Sequence, residues 1–278
     1  MPVSAMTSFM IGISPGGVER RPCRKLRSPS MAEHILETLE SGVLHLRFNR
    51  EDKKNAITNE MYAALASGFA RAAEDDDVRA VMLEGGDEIF TAGNDLSAFA
   101  GAPNLTGDEK PPVWQFIENV ANCPVPVVAA VSGLAIGIGS TILLHCDLVY
   151  ADDSAVFHMP FTDLATVPEA GASYILPRRF GRQIAGEFLL LSEKVSARRA
   201  YDMGLVNEVI QGDVRLHAKL VAERLAEKPP KALQKAKALM FGKQKALHEH
   251  IPVEMEAFAK CLQSEEMQAV IMKMMMKK

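Results

Sequence analysis

Residues 43–49, VLHLRFN, alternate apolar and polar positions. Leu44, Leu46 and Phe48 fall on one side and His45 and Arg47 on the other, which predicts a half-buried strand. A polar stretch, Asn49 to Asn55, follows. Met61, Leu65, Phe69 and Ala72 then recur at helical spacing, with Thr58 or Asn59 placed to cap the helix. The acids Asp75–Asp77 end it, and Val78–Leu83 reads as a buried strand. The result is a β-β-α rhythm.

The rhythm recurs. Pro124–Val131 is an apolar, valine-rich strand that runs into the turn Gly133–Gly139 and a helical run to Cys146. Short strands follow at Asp147–Ala151 and Ala155–His158. Pro168 is expected to open a helix that Pro177 terminates. Another helix starts near Gly181, Ser196 caps the next, and Gly204 closes it before a strand at Leu205–Val209. From about Asp213 the strand signals stop. Residues 213–227, 229–242 and 248–272 are helical by period, with Pro229-Pro230 and Pro252 as helix starts. Strands alternating with helices argue an α/β core over 31–211. Residues 212–278 form a helical appendage, in which Met267, Ile271 and Met274 share a face suited to packing, internal or between subunits.

Residues 1–30 differ in texture. Arg20, Arg21, Arg24, Lys25 and Arg27 stand against the single acid Glu19, among serines and Gly/Pro breaks. The segment fits a transit peptide, or an untranslated leader ahead of a start at Met31, and is expected to be disordered.

Composition sets bounds. Apolar residues at 48% and charged residues at 24% are ordinary for a globular domain, and no run approaches 18 apolar residues, so no membrane partner is expected. A net charge of -4 gives no footing for nucleic acid. Cys23, Cys123, Cys146 and Cys261 form no CxxC pair, and no histidine cluster has ligand spacing, so neither metal nor disulfide framework is expected.

Two turns carry candidate chemistry. In Ile89-Phe-Thr-Ala-Gly-Asn-Asp-Leu96, Gly93 permits a sharp turn and Asn94 and Asp95 sit at a predicted helix start, where backbone N–H groups lack internal partners. In Gly133–Gly139 the same holds for the Ile138 N–H. Such donors bind an anionic oxygen. The second turn is neither a Walker loop nor GxGxxG.

Four ordered stretches resemble the serial motifs of the crotonase (enoyl-CoA hydratase/isomerase) superfamily. They are Asn49-Arg-Glu-Asp-Lys-Lys-Asn-Ala-Ile57, Phe90-Thr-Ala-Gly-Asn-Asp-Leu96, Val127-Val-Ala-Ala-Val-Ser-Gly-Leu-Ala-Ile-Gly137 with Cys146-Asp147, and Ser196-Ala-Arg-Arg-Ala-Tyr-Asp-Met-Gly-Leu-Val206. The resemblance implies a spiral of β-β-α turns and a C-terminal helical region that builds homotrimers or dimers of trimers. It also implies an acyl-CoA thioester substrate and an oxyanion hole formed by the N–H groups of Asn94 and Ile138. Coenzyme A would enter as part of the substrate, with no separate cofactor. By position, Lys53, Lys54 and Ala56, with Ala92, Gly93, Asn94, Asp95 and Leu96, resemble the regions that hold it.

The reaction depends on carboxylates. Enoyl-CoA hydratases carry two glutamates at positions that fall here on Thr141 and Phe161, neither of which activates water. Glu169 stands instead in a run, Phe157 to Tyr174, that resembles peroxisomal-type Δ3,Δ2-enoyl-CoA isomerases, in which the glutamate after the proline is the base. The reading is therefore double-bond isomerisation with Glu169 as proton shuttle. Hydration or another acyl-CoA enolate reaction, and a non-catalytic acyl-CoA-binding trimer, are the alternatives. For Glu169, a helix N-terminus would lower the carboxyl pKa, and apolar walls from Phe161, Leu164 and Val167 would raise it. Asp95 is expected to cap a helix, Asp163 to be a turn residue, His158 and Asp147 to be structural. Ser132 and Ser173 lack a nearby His/Asp pattern for a hydrolase triad. The chain ends Met-Lys-Lys rather than Ser-Lys-Leu, which favours a cytoplasmic location, with mitochondrial as the alternative if residues 1–30 are a transit peptide.

Overall fold

Successive strands divide between two sheets. The computed structural model describes residues 34–95, 111–242 and 245–276, so the expected leader and Leu96 lie outside the described residues. The larger sheet holds β1 (Ile35–Glu40), β2 (Val43–Phe48), β3 (Ala80–Glu84), β5 (Val127–Val131), β7 (Leu148–Asp152) and β10 (Glu208–Ile210), in the order β1-β2-β3-β5-β7-β10. The smaller holds β4 (Ile89–Thr91), β6 (Leu134–Ile136), β8 (Val156–His158) and β9 (Val195–Ser196). Thus β3, β5 and β7 lie parallel in one sheet, and the strand following each, β4, β6 and β8, lies parallel in the other. This is the spiral that the resemblance implies, one β-β step per turn.

Helix α1 (Asn59–Glu74) begins where the Thr58 side chain accepts from the Met61 N–H, and it buries Met61, Leu65, Phe69 and Ala72 as its period requires. It packs on α2 (Pro112–Ala121), with the Phe116 ring against Tyr62 and Phe69. The opposite face of the large sheet is covered by α7 (Val214–Ala226). Val214, Ala218, Ala222 and Ala226 form a small-residue stripe that lets the helix lie close on Val43, Ala80, Met82, Val128 and Ala130. This overturns the half-buried reading of β2. His45 is buried on the sheet face that α7 covers, beside Arg215, Leu216 and Lys219, and its Nδ1 lies 3.1 Å from Glu84 Oε1, because a tertiary neighbour covers what the alternation marks as the solvent face.

Other boundaries change. Gly133–Gly139 is not a bare turn, since it contains β6, whose partners β4 and β8 are far away in sequence. The helix expected to Cys146 is a short α3 (Ile138–Thr141) continued by a 3-10 turn, Ile142–His145. Pro168 does not open a helix and Pro177 does not end one. Helix α4 spans Ala172–Phe180 with Pro177 inside it, and α5 (Arg182–Leu189) follows. Helix α6 (Ala197–Met203) is capped by Ser196 and closed by Gly204, as expected. After β10 come α7, α8 (Pro230–Phe241), α9 (Lys245–Leu262) and α10 (Glu265–Met275). Pro252 lies within α9 rather than at its start. Met267 is buried and Ile271 half-buried, while the Met274 side chain lies outside the described residues.

Candidate active site

The first turn is held by its own polypeptide neighbourhood. Asn55 is fully buried and donates from Nδ2 to the carbonyls of Ile89 (3.2 Å) and Phe90 (3.1 Å). Ala92 N–H donates to Lys54 O, Ile57 N–H to Gly93 O and Asp95 N–H to Ile57 O, which zips residues 54–57 to 92–95. Arg50 closes the zip, with its Nη1 2.6 Å from Asp95 Oδ2 and 2.8 Å from Ala56 O. Asp95 is therefore an ion-pair partner of Arg50, and the helix expected after it lies outside the described residues. Ala92, Gly93 and Asn94 line the main pocket. The Lys53 and Lys54 side chains are exposed and do not line it, and Lys54 contributes to the turn through its carbonyl.

Gly93 is required here. Its φ is +83°, and a Cβ would stand 2.7 Å from Ile136 O, so only glycine lets the two turns touch. On the other side Gly137, at φ +57°, delivers the chain into α3 with Ile138 as its first residue. The N–H groups of Asn94 and Ile138 find no acceptor among the described residues. Both predicted oxyanion donors thus sit on adjoining turns with their bonding capacity unused. The Tyr62 hydroxyl donates to Asn94 Oδ1 and so leaves the amide nitrogen of that side chain turned away from it.

Glu169 enters from a non-helical loop, residues 166–171, ahead of α4. Thr166 anchors the loop through N–H and Oγ1 to Phe161 O, at 2.8 and 3.1 Å. Ala170 and Gly171 are both left-handed, at φ +56° and +74°, which turns the chain sharply after the glutamate. Glu169 is 2% exposed, and its Oε1 has no hydrogen-bond partner. Burial, followed by repulsion from Glu254, pushes its pKa up to about 8. The two opposing effects seen in the sequence are thereby resolved. Glu169 precedes the helix instead of opening it, so desolvation wins.

The pocket encloses about 360 Å³. Its polar contributors are Asn94, His158, Thr166 and Glu169; Phe161, Leu164, Phe258 and Met267 supply apolar walls. Glu169 is the one carboxylate lining it among the described residues. Phe161 is a wall, and Thr141 is buried beneath, with Oγ1 3.5 Å from Ile138 O. His158 donates from Nε2 to Ser192 O, 3.0 Å away, and burial lowers its pKa, so it faces the pocket as a neutral, tethered ring. Asp163 is exposed and Val167 does not line the pocket. Asp147 accepts from Val127 N–H and pairs with Lys237 at 2.6 Å, a structural tie. Ser132 lines a separate surface depression.

Ser173 corrects the sequence reading. Space supplies the histidine and acid that the chain order hides: Ser173 Oγ is 2.8 Å from His250 Nε2, and the hydroxyl donates to Glu254. The hydroxyl therefore serves the carboxylate, and Ser173 does not line the pocket. Tyr62, Arg50, His145, Glu254, Phe258 and Met267 were missed as contributors. Of these, only Arg50 lay inside a quoted motif; the others are brought in by packing.

A sequence profile described as "Enoyl-CoA hydratase/isomerase" matches residues 38–277. With the spiral and the paired turns, this places the chain in the enoyl-CoA hydratase/isomerase family. It is 37% identical over 216 residues to "Enoyl-CoA delta isomerase 2" of Rattus norvegicus, covering 76% of this chain and 55% of that protein. To "1,2-epoxyphenylacetyl-CoA isomerase" of Escherichia coli K12 it is 34% identical, over 72% of this chain and 78% of that one. Among solved structures, that of Pseudomonas aeruginosa OdaA superimposes with a TM-score of 0.84 at 38% identity, covering 88% of this chain and 99% of the other. The chain spans little more than half the length of the rat protein and of "Enoyl-CoA delta isomerase 3, peroxisomal" of Mus musculus, at 55% and 57%.

Proposed function

We propose that this pocket isomerises 3-enoyl-CoA to 2-trans-enoyl-CoA. The carrying observation is Glu169, the one carboxylate lining the pocket among the described residues, with its Oε1 unpartnered in a largely apolar cavity that the Asn94 turn also lines. In its ionised form Glu169 takes a proton from C2. The electron pair delocalises over C2–C4 and the thioester oxygen, and the double bond moves from C3–C4 to C2–C3. The same carboxyl returns the proton at C4. One base suffices because the planar dienolate presents both carbons to it. The N–H groups of Asn94 and Ile138 receive the negative oxygen, and donors of this kind contribute roughly 3–4 kcal/mol each in comparable sites. Coenzyme A is carried in on the substrate, with the 53–57 and 92–95 stretches as its expected seat. The name of the rat relative points to the same chemistry.

Glu169→Gln, assayed with a 3-enoyl-CoA, is expected to lose about 10²–10⁴-fold in kcat. A variant as fast as wild type would remove the assignment. Hydration is the competing enolate reaction, and rapid 3-hydroxyacyl-CoA formation from a 2-enoyl-CoA would favour it. Binding of CoA esters without turnover of either isomer would leave only a carrier.

A further inference from the structure

The geometry points to Glu254, on α9, as the positioning residue that sets where Glu169 stands and how readily it accepts a proton. The inference rests on Glu169 being the base. The peptide unit between Ala170 and Gly171, one residue beyond Glu169, is gripped at both ends. Its carbonyl, Ala170 O, accepts from His145 Nε2 at 2.7 Å, and its N–H, on Gly171, donates to Glu254 Oε2 at 2.6 Å. That peptide joins two consecutive left-handed residues, one of them an alanine, a conformation that needs outside support. The second carboxylate oxygen, Oε1, accepts from Ser173 N–H at 2.8 Å and from the Ser173 hydroxyl. His250 Nε2 stands 3.5 Å from it. The bonds reaching Glu254 from Gly171 and Ser173 all come from donors, so the site is built for an ionised carboxylate that is itself only 5% exposed.

A fixed negative charge near a buried carboxyl makes that carboxyl a stronger base, and repulsion from Glu254 is the second cause, after burial, of the raised Glu169 pKa. Among the described residues, the other titratable groups around the pair are Tyr62 from α1, His158 from β8, His145 behind Ala170 and His250 beside Glu254. Burial lowers the pKa of both His145 and His158, so neither brings a cation at neutral pH to cancel the Glu254 charge. Glu254 thus ties α9, which also supplies Phe258 to the pocket wall, to the loop that carries the base.

The test is a set of kcat/KM pH profiles on the full chain. Glu254→Gln removes the charge, and the acidic limb is expected to move to lower pH. Glu254→Asp keeps the charge on a shorter arm. Its limb should stay in place while kcat drops about tenfold or more with KM within about twofold, since small misplacements of a base are costly. His250→Gln leaves the Glu254 charge and should leave the limb where wild type has it. The inference is overturned if the Glu254→Gln limb does not move, if Glu254→Asp retains wild-type kcat, or if His250→Gln reproduces the Glu254→Gln shift. Should Glu254→Gln fail to fold, the Glu254→Asp arm decides alone. Glu169→Gln separates the two levels: an active Glu169→Gln sinks the base assignment, whereas an inactive one with an unmoved Glu254→Gln limb sinks only the role of Glu254.

Discussion

Glu169 carries opposite consequences for catalysis and for stability. With Glu169 pushed up to about 8, about a tenth of the free protein holds it ionised at pH 7, so if it is the proposed base, kcat/KM should climb with pH and level off above about 8. A profile already flat from pH 6 would contradict this. For stability, the folded state prefers the protonated acid, whereas the unfolded chain releases that proton near the ordinary 4.5. The raised folded value means that the contribution is fully present below about 4.5, is lost as pH rises, and is gone above about 8. The full span corresponds to roughly 3–5 kcal/mol. Glu169→Gln should therefore melt higher than wild type at pH 8 and lose that advantage at pH 4, as scanning calorimetry at the two pH values would show. A base kept ready at the expense of stability is the usual trade at such sites. The glutamate itself was legible in the sequence, because it follows a proline in a recognisable run. Its environment was not, since Tyr62, Glu254, Phe258 and Met267 come from remote segments.

Local pattern fixed elements wherever the partner was local. The α1 face, its Thr58 cap and the Ser196 and Gly204 ends of α6 needed only neighbours three or four residues away. It failed where the partner was distant. β6 is three residues long and exists because β4 and β8 flank it. Pro177 and Pro252 remain inside helices because surrounding packing holds turns that propensity alone would break. At this scale the contact between the two turns is the sensitive joint. Gly93→Ala places a methyl 2.7 Å from Ile136 O at a backbone angle that L-residues avoid. It should cost about 1–3 kcal/mol of stability and, on the proposed function, depress kcat more than KM, because both proposed oxyanion donors shift together. Thermal melting with steady-state kinetics checks it, and a variant with native Tm and kcat would show that the contact is not constrained.

Across the whole molecule, α8 stands out. Among the described residues none of its own is buried, and Leu239, Met240 and Phe241 lie exposed at its end, Leu239 by 75%. The homotrimer implied by the family resemblance has a candidate contact there. Leu239→Glu combined with Met240→Glu should lower the molar mass found by light scattering to that of a single chain. An unchanged assembly would place the contact elsewhere.

The sequence by itself determined the α/β class, the order of the repeats, the two glycine turns and the lone glutamate. Each is written in short-range spacing: a period, a cap, or a residue whose backbone freedom no other can match. Only the tertiary structure decided which faces are buried, as with His45 on the sheet face that α7 covers, and what surrounds the base. Burial and electrostatics depend on distance in space. The contacts that set them here, from Glu254 to Gly171 or from Tyr62 to Asn94, join residues tens of positions apart that no local pattern connects.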